Sequence, residues 1–286
     1  MKKIWLVLVL LFGVLTVSGC QTQLDETDQK VDKSIDQFLT EHVTTYMNNE
    51  FVNESVLASI YHLDPNDKLK ILDEYLNQDM TFARDTAYSL INALVYESVL
   101  DMDKSSSKNV LLSKTTDNPY EATSLLHAAY MANVTGELVD AYKNVILNTD
   151  SSLMDADYAG MAMLALSPYK DEDNVKTYMD DLKDLIVSYL SKDGVISWGN
   201  PNSSTTATVI IGLLSIGENP RDEAYTVEDV DLIEALLLYE SNGAFKWMMN
   251  DEIDLMFSTP QGFTALALYQ VYRKEGKPIY LYDLTN

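Results

Sequence analysis

Asp155 and Asp157 stand at the head of an apolar stretch, DADYAGMAMLALSPY, that runs from Asp155 to Tyr169. Carboxylates so placed have three chemistries open to them. One can protonate a substrate while its neighbour tunes it. A pair can cleave a glycosidic bond as acid and base. Asp85 and Glu121, acids near two other apolar stretches, are further members of such a pair, and Trp198 and Trp247 are faces on which sugar rings stack. The third chemistry is helix capping, in which the carboxylates accept N–H groups that the first turn leaves unpaired. With 44 acids in the chain some lie close together by chance, so capping asks least.

Other reactive constellations are missing from the sequence. His42, His62 and His127 are widely spaced and match no metal-ligand pattern, and His127 reads as a hydrogen-bonded core residue. The only cysteine is Cys20. The chain beyond it has no disulfide, cysteine zinc ligand or thiol nucleophile. Neither a Gly-rich phosphate loop nor Gly-x-Ser-x-Gly occurs. No metal and no cofactor are expected.

Residues 1–20 carry the most specific pattern. Lys2-Lys3 precedes an apolar run from Ile4 to Val17, and Val17-Ser18-Gly19-Cys20 puts small residues before the cysteine. The run is short for a membrane span. The pattern resembles a bacterial lipoprotein signal, which implies cleavage before Cys20 and a lipid on its sulfur. Residues 1–19 are then signal, 20–28 a polar tether and 29–286 one domain, extracytoplasmic and held on the cell membrane. The formal net charge of −24 argues against nucleic acid as a partner. It leaves a small molecule, a glycan or a protein.

The elements that position these residues are helices. Val31, Ile35, Phe38, Leu39, Val43, Tyr46 and Met47 make one stripe over 29–48, and residues 53–62 and 65–78 give two shorter helices. Further on, two kinds alternate. Residues 135–148, 171–191 and 226–240 are apolar on one face. Residues 84–96, 119–131, 155–169, 204–217 and 259–272 are apolar nearly all round and rich in Ala, Gly, Ser and Thr. Their likeness to one another marks a repeat architecture. Helices half-buried and fully buried in alternation predict two layers, an inner set of at least five inside an outer one. Asp64-Pro65, Asn118-Pro119, Asn200-Pro201, Asn219-Pro220 and Thr259-Pro260 read as helix starts or the turns just before them. KDGVISWG (192–199) and GAFKWMMNDEIDLMF (243–257) fit no helix; a β-hairpin is expected in the second, turning near Asn250-Asp251.

Asp157–Tyr169, Ser204–Gly217 and Thr259-Pro260-Gln261 through Tyr272 resemble the repeats of the prenyltransferase and squalene-oxidase type. They are closer still to the α/α-toroid domains of exported bacterial surface proteins, in a superfamily shared with terpenoid cyclases and transcobalamin-like binders. The resemblance implies an all-α, α/α-toroid fold without fixing an activity. Asp155-Ala156-Asp157-Tyr158 keeps two acids of the cyclase Asp-x-Asp-Asp motif and lacks the third, which puts protonation chemistry in doubt. The protein prenyltransferases' zinc site needs a cysteine that this chain lacks. In such a ring the inner helix starts share one mouth. Asp155, Asp157, Ser204, Thr205 and Thr259 would form a polar rim there, with Tyr158, Trp198, Trp247 and Gln261 nearby, over an apolar pit. The leading expectation is a non-catalytic ligand-binding or scaffold protein, with a glycan-cleaving enzyme and a cyclase as alternatives.

Overall fold

The computed structural model describes residues 24–48, 51–63 and 80–284. The expected signal, Cys20 and the helix read over 65–78 lie outside them. The described residues are mostly helical, with twelve α-helices and five very short strands.

Local sequence explains where the helices start and stop. In α1 (Glu26–Glu41), Asp25 accepts the Asp28 N–H and starts the helix three residues earlier than its apolar stripe suggests. The expected single helix over 29–48 breaks at His42, and α2 (Val43–Tyr46) follows as a separate turn. Next come α3 (Glu54–Leu63), α4 (Ala87–Val99) and α5 (Ser105–Leu111). Thr86 and Ser89 close a reciprocal cap at the head of α4. Asn118 caps α6 (Pro119–Met131), and its proline occupies the first turn as expected. After α7 (Glu137–Leu147), Asp155 caps α8 (Ala156–Leu166) by accepting the Tyr158 N–H. α9 (Asp173–Ser188) follows. Asn202 caps α10 (Ser203–Ile216), and Gly217 ends it at φ +94°, a left-handed position that suits glycine.

The reading of 226–240 as one helix was too long. Asp231 and Glu234 form a reciprocal cap there, so α11 spans only Leu232–Leu237. Val227 and Val230, ahead of the cap, pair as an antiparallel bridge instead. The last helix, α12, spans Ser258–Glu275.

Each segment that fits no helix supplies a strand to a small antiparallel sheet whose other strands lie beside it in the chain. β1 (Leu190–Ser191), β2 (Gly194–Ser197) and β3 (Asn200–Pro201) form one small antiparallel sheet. β4 (Glu240–Ser241) and β5 (Ala244–Phe245) form a second. The second turns at Asn242-Gly243, both at positive φ, rather than at Asn250-Asp251. Asn-Gly is the pair that a two-residue turn of this hand favours. Only an isolated bridge, Lys246 to Ile253, spans the expected turn.

The packing has a cyclic order. α3 packs on α4, α4 on α6, α6 on α8, α8 on α10, α10 on α12, and α12 returns to α3. α3 is therefore the sixth member beside the five apolar helices read from the sequence. The amphipathic helices lie outside this cycle: α1 against α12 and α11, α7 against α6, and α9 against α8. One face of each explains this; α1, for instance, buries Val31, Ile35 and Phe38. The six helices supply much of the core, including Leu94, Leu125, Ala165, Leu213 and Leu266, all fully buried. Each leucine so buried contributes about 1.5–3 kcal/mol. Arg273 and Arg221 fasten α1 to the cycle: Arg273 pairs with Asp28 and Asp32, and Arg221 with Asp25 and Asp231.

Candidate functional site

Side chains from neighbouring helices meet at their starting ends. Tyr88 in the first turn of α4 donates to Glu54 at the head of α3, 2.9 Å away. Tyr120 in α6 donates to Asp155, the cap of α8, at 3.2 Å. Thr205 in α10 donates to Asp157 in α8 at 2.8 Å, and Ser204 of α10 meets Ser258 of α12 at 3.1 Å. The starts of α3 and α4 therefore lie together, as do those of α6, α8, α10 and α12.

A cavity of about 280 Å³ lies among the six helices, and each of them contributes to its wall. Glu54 comes from α3, Tyr88 from α4, His127 from α6, Met161 from α8, Thr208 from α10, and Gln261 and Thr264 from α12. Leu281 and Tyr282, from the segment after α12, complete the wall. That segment is held from two sides. His62 Nε2 is 2.9 Å from the Leu281 carbonyl, and the Tyr280 hydroxyl is 2.8 Å from His127 Nδ1.

The electrostatics of the wall are one-sided, since among the described residues no lysine or arginine lines it. Burial raises the pKa of the Glu54 carboxyl, and the hydrogen bonds it accepts, including that from Tyr88, only partly oppose this. Burial also lowers His127 to about 3, so its ring is neutral, as a core histidine's should be. Two buried polar atoms on the wall have no hydrogen-bond partner among the described residues, Gln261 Oε1 and Thr264 Oγ1. Thr264 is completely buried. Such atoms cost about 1–3 kcal/mol each when left unpaired; Asn92 Oδ1 and Glu97 Oε2, away from the cavity, share this state. Among the described residues, no three of His, Cys, Asp and Glu gather as a metal set would.

The residues singled out from the sequence fall in several places. Gln261 is on the cavity wall. Asp155 is a cap, as read. Asp157 is not: its carboxylate accepts the Thr205 and Ser197 hydroxyls and ties α8 to α10 and β2. Burial raises its pKa most, and the charge of Asp155 adds to this against the two hydroxyl bonds. Tyr158 and Thr259 are core residues rather than rim. Tyr158 is fully buried beside Tyr178, and the Thr259 hydroxyl accepts the Phe245 N–H. Ser204 and Trp247 line a shallow surface pocket with Asp254 and Phe257. Trp198 sits at φ +55° in the turn between β2 and β3, 87% exposed. None of Asp85, Glu121, Asp155 and Asp157 lines the cavity.

Sequence reasoning missed Glu54, Tyr88, Thr264 and Tyr282. The one available signal was Glu54, an acid leading into VLASIY. Comparison with known proteins gives no relative: no protein-family model, no curated protein and no solved structure matches the chain.

Proposed function

We propose that this chain is a non-catalytic binding protein, an α/α toroid held on the outer side of the membrane by a lipid on Cys20, whose ligand enters the central cavity. The observation that carries the reading is the cavity wall, drawn from all six helices of the cycle and bearing two buried polar atoms without partners. The cyclic packing order and the shared helix starts support the toroid. The size of the cavity, just under the usual range for small-molecule sites, suits a compact ligand. A binding role also fits the acids best, because Asp155 and Asp157 are engaged as a cap and a clasp away from the cavity.

Ligand-observed NMR on residues 24–286 with a mixed set of small fragments tests this. Fragments should bind, and Thr208→Phe, which fills the cavity from α10, should abolish their binding while the helical circular dichroism is unchanged. Fragments that bind equally well to the filled variant would place the site elsewhere.

A further inference from the structure

Among the described residues, two of the cavity's polar groups are acceptors short of donors and a third is a hydroxyl without a partner. Glu54 presents a carboxyl whose recorded side-chain partner is the Tyr88 hydroxyl, Gln261 Oε1 is an acceptor without a donor, and Thr264 Oγ1 has neither. An anionic ligand would bring further acceptors to a wall on which the described residues place no cation, beside a carboxyl already short of solvent. A neutral hydroxyl can accept from Thr264 but brings one hydrogen for both Glu54 and Gln261 Oε1, and no counter-charge for the carboxyl. An ammonium carries three donors and a positive charge on one atom, and the rings of Tyr88 and Tyr282 on the same wall favour a cation further. We infer that the cavity takes a small organic primary amine, its ammonium donating to the Glu54 carboxylate and Gln261 Oε1, with Thr264 Oγ1 accepting the remaining hydrogen.

This rests on the cavity being the binding site and names the class of ligand. Two features of the protein favour it. The net charge of −24 draws cations to the surface and raises their local concentration. Burial disfavours the ionised form of Glu54 while the cavity is without a cation; an arriving ammonium supplies the missing counter-charge, so the carboxylate and the ligand stabilise one another. The rest of the wall, Ile91, Leu164 and Ile211, is apolar and suits a hydrocarbon body behind the head.

Three probes of one shape and different charge test the assignment: benzylamine, benzyl alcohol and benzoate, titrated calorimetrically into residues 24–286. Benzylamine should bind more tightly than the other two. Glu54→Gln should weaken it on the order of thirtyfold, as expected for a buried charge pair that loses one partner, and leave benzyl alcohol unchanged. Gln261→Leu, which keeps the volume and removes the acceptor, should weaken benzylamine several-fold and serves as the check if Glu54→Gln does not fold. Benzyl alcohol or benzoate binding as tightly as benzylamine, or a benzylamine affinity indifferent to both substitutions, would overturn the amine assignment and leave the cavity as a site. If Thr208→Phe leaves all three affinities as they were, the cavity itself is not the site and both readings fall.

Discussion

Gly160 and Gly212 cross where no side chain fits between α8 and α10. A Cβ on Gly212 would lie 2.6 Å from the Gly160 carbonyl oxygen, and one on Gly160 would lie 2.5 Å from that of Thr208. Both obstacles are backbone, which cannot turn aside as a flexible side chain can. Gly212→Ala should therefore force the two helices apart and destabilise the fold by about 1–3 kcal/mol. The urea midpoint should fall with an unchanged slope. Because Gly160 and Thr208 also line the cavity, the same variant should bind ligand less tightly.

The Asp157–Thr205 bond makes a different prediction from the cap that the sequence suggested. Asp157→Ala and Thr205→Val each remove one partner of the same clasp, so the double variant should be more stable than the two single losses added together. A coupling of about 0.5–3 kcal/mol in a double-mutant cycle is the expected result. Asp157→Asn keeps an acceptor for Thr205 and gives up a charge that burial disfavours, so it should cost less than the alanine. Strict additivity would mean that the clasp does not hold in solution.

Glu54 gives the pH dependence a recognisable sign. Its pKa in the folded protein is raised above the ordinary 4.5, so the neutral acid is the form the fold prefers. Below that value both states are protonated and the group has no effect. As the pH rises through the folded value the unfolded chain gives up its proton more readily, and stability falls before levelling off. Asp254 works in the opposite sense. Burial raises its pKa, but the N–H groups and hydroxyl it binds at the head of α12 outweigh this and lower it; its stabilisation is lost as the pH falls. Subtraction isolates Glu54: Glu54→Gln should melt above wild type at pH 7, and the two should converge as the pH falls toward 4.5. Tyr88, Tyr282 and His127, which share its cavity, stay neutral between about pH 4.5 and 8 and do not blur the comparison.

Cys20→Ser should abolish lipidation of the full chain. Cells given labelled palmitate should mark the wild type and not the variant, which should then remain uncleaved or leave the membrane fraction. Equal labelling of the two would dismiss the anchor.

Much of the helical fold was legible because its signals are local. Asn118-Pro119 and Asp155 carry their own start signals, and the apolar circumference of 156–166 demands neighbours on every side whatever they are. The two hairpins were visible as breaks in that pattern, although Asn242-Gly243 was the better turn and straddled the start of the segment considered. Within the candidate site, only Gln261 was found in advance. Glu54, Tyr88 and Tyr282 are unremarkable in their own stretches; what brings them together is the return of α12 to α3, a contact no local pattern records. Asp157 was misread for the same reason. An acid at a helix start looks like a cap until the neighbouring helix supplies Thr205. Thr264 looks like any small residue of an inner helix, and its missing hydrogen bond shows only once every neighbour is in place.

The contact of α3 with α12 has a consequence for how the molecule comes apart. A linear stack of helices cut once between two of its layers is joined across a single face. Here a cut in the connection 112–117, between α5 and α6, would leave two pieces that still meet along two seams, α4 with α6 and α3 with α12. Each seam holds the other's partners at high effective concentration. Protease-nicked protein should therefore stay whole on a sizing column, and the two pieces, produced separately and mixed, should find each other and restore the cavity.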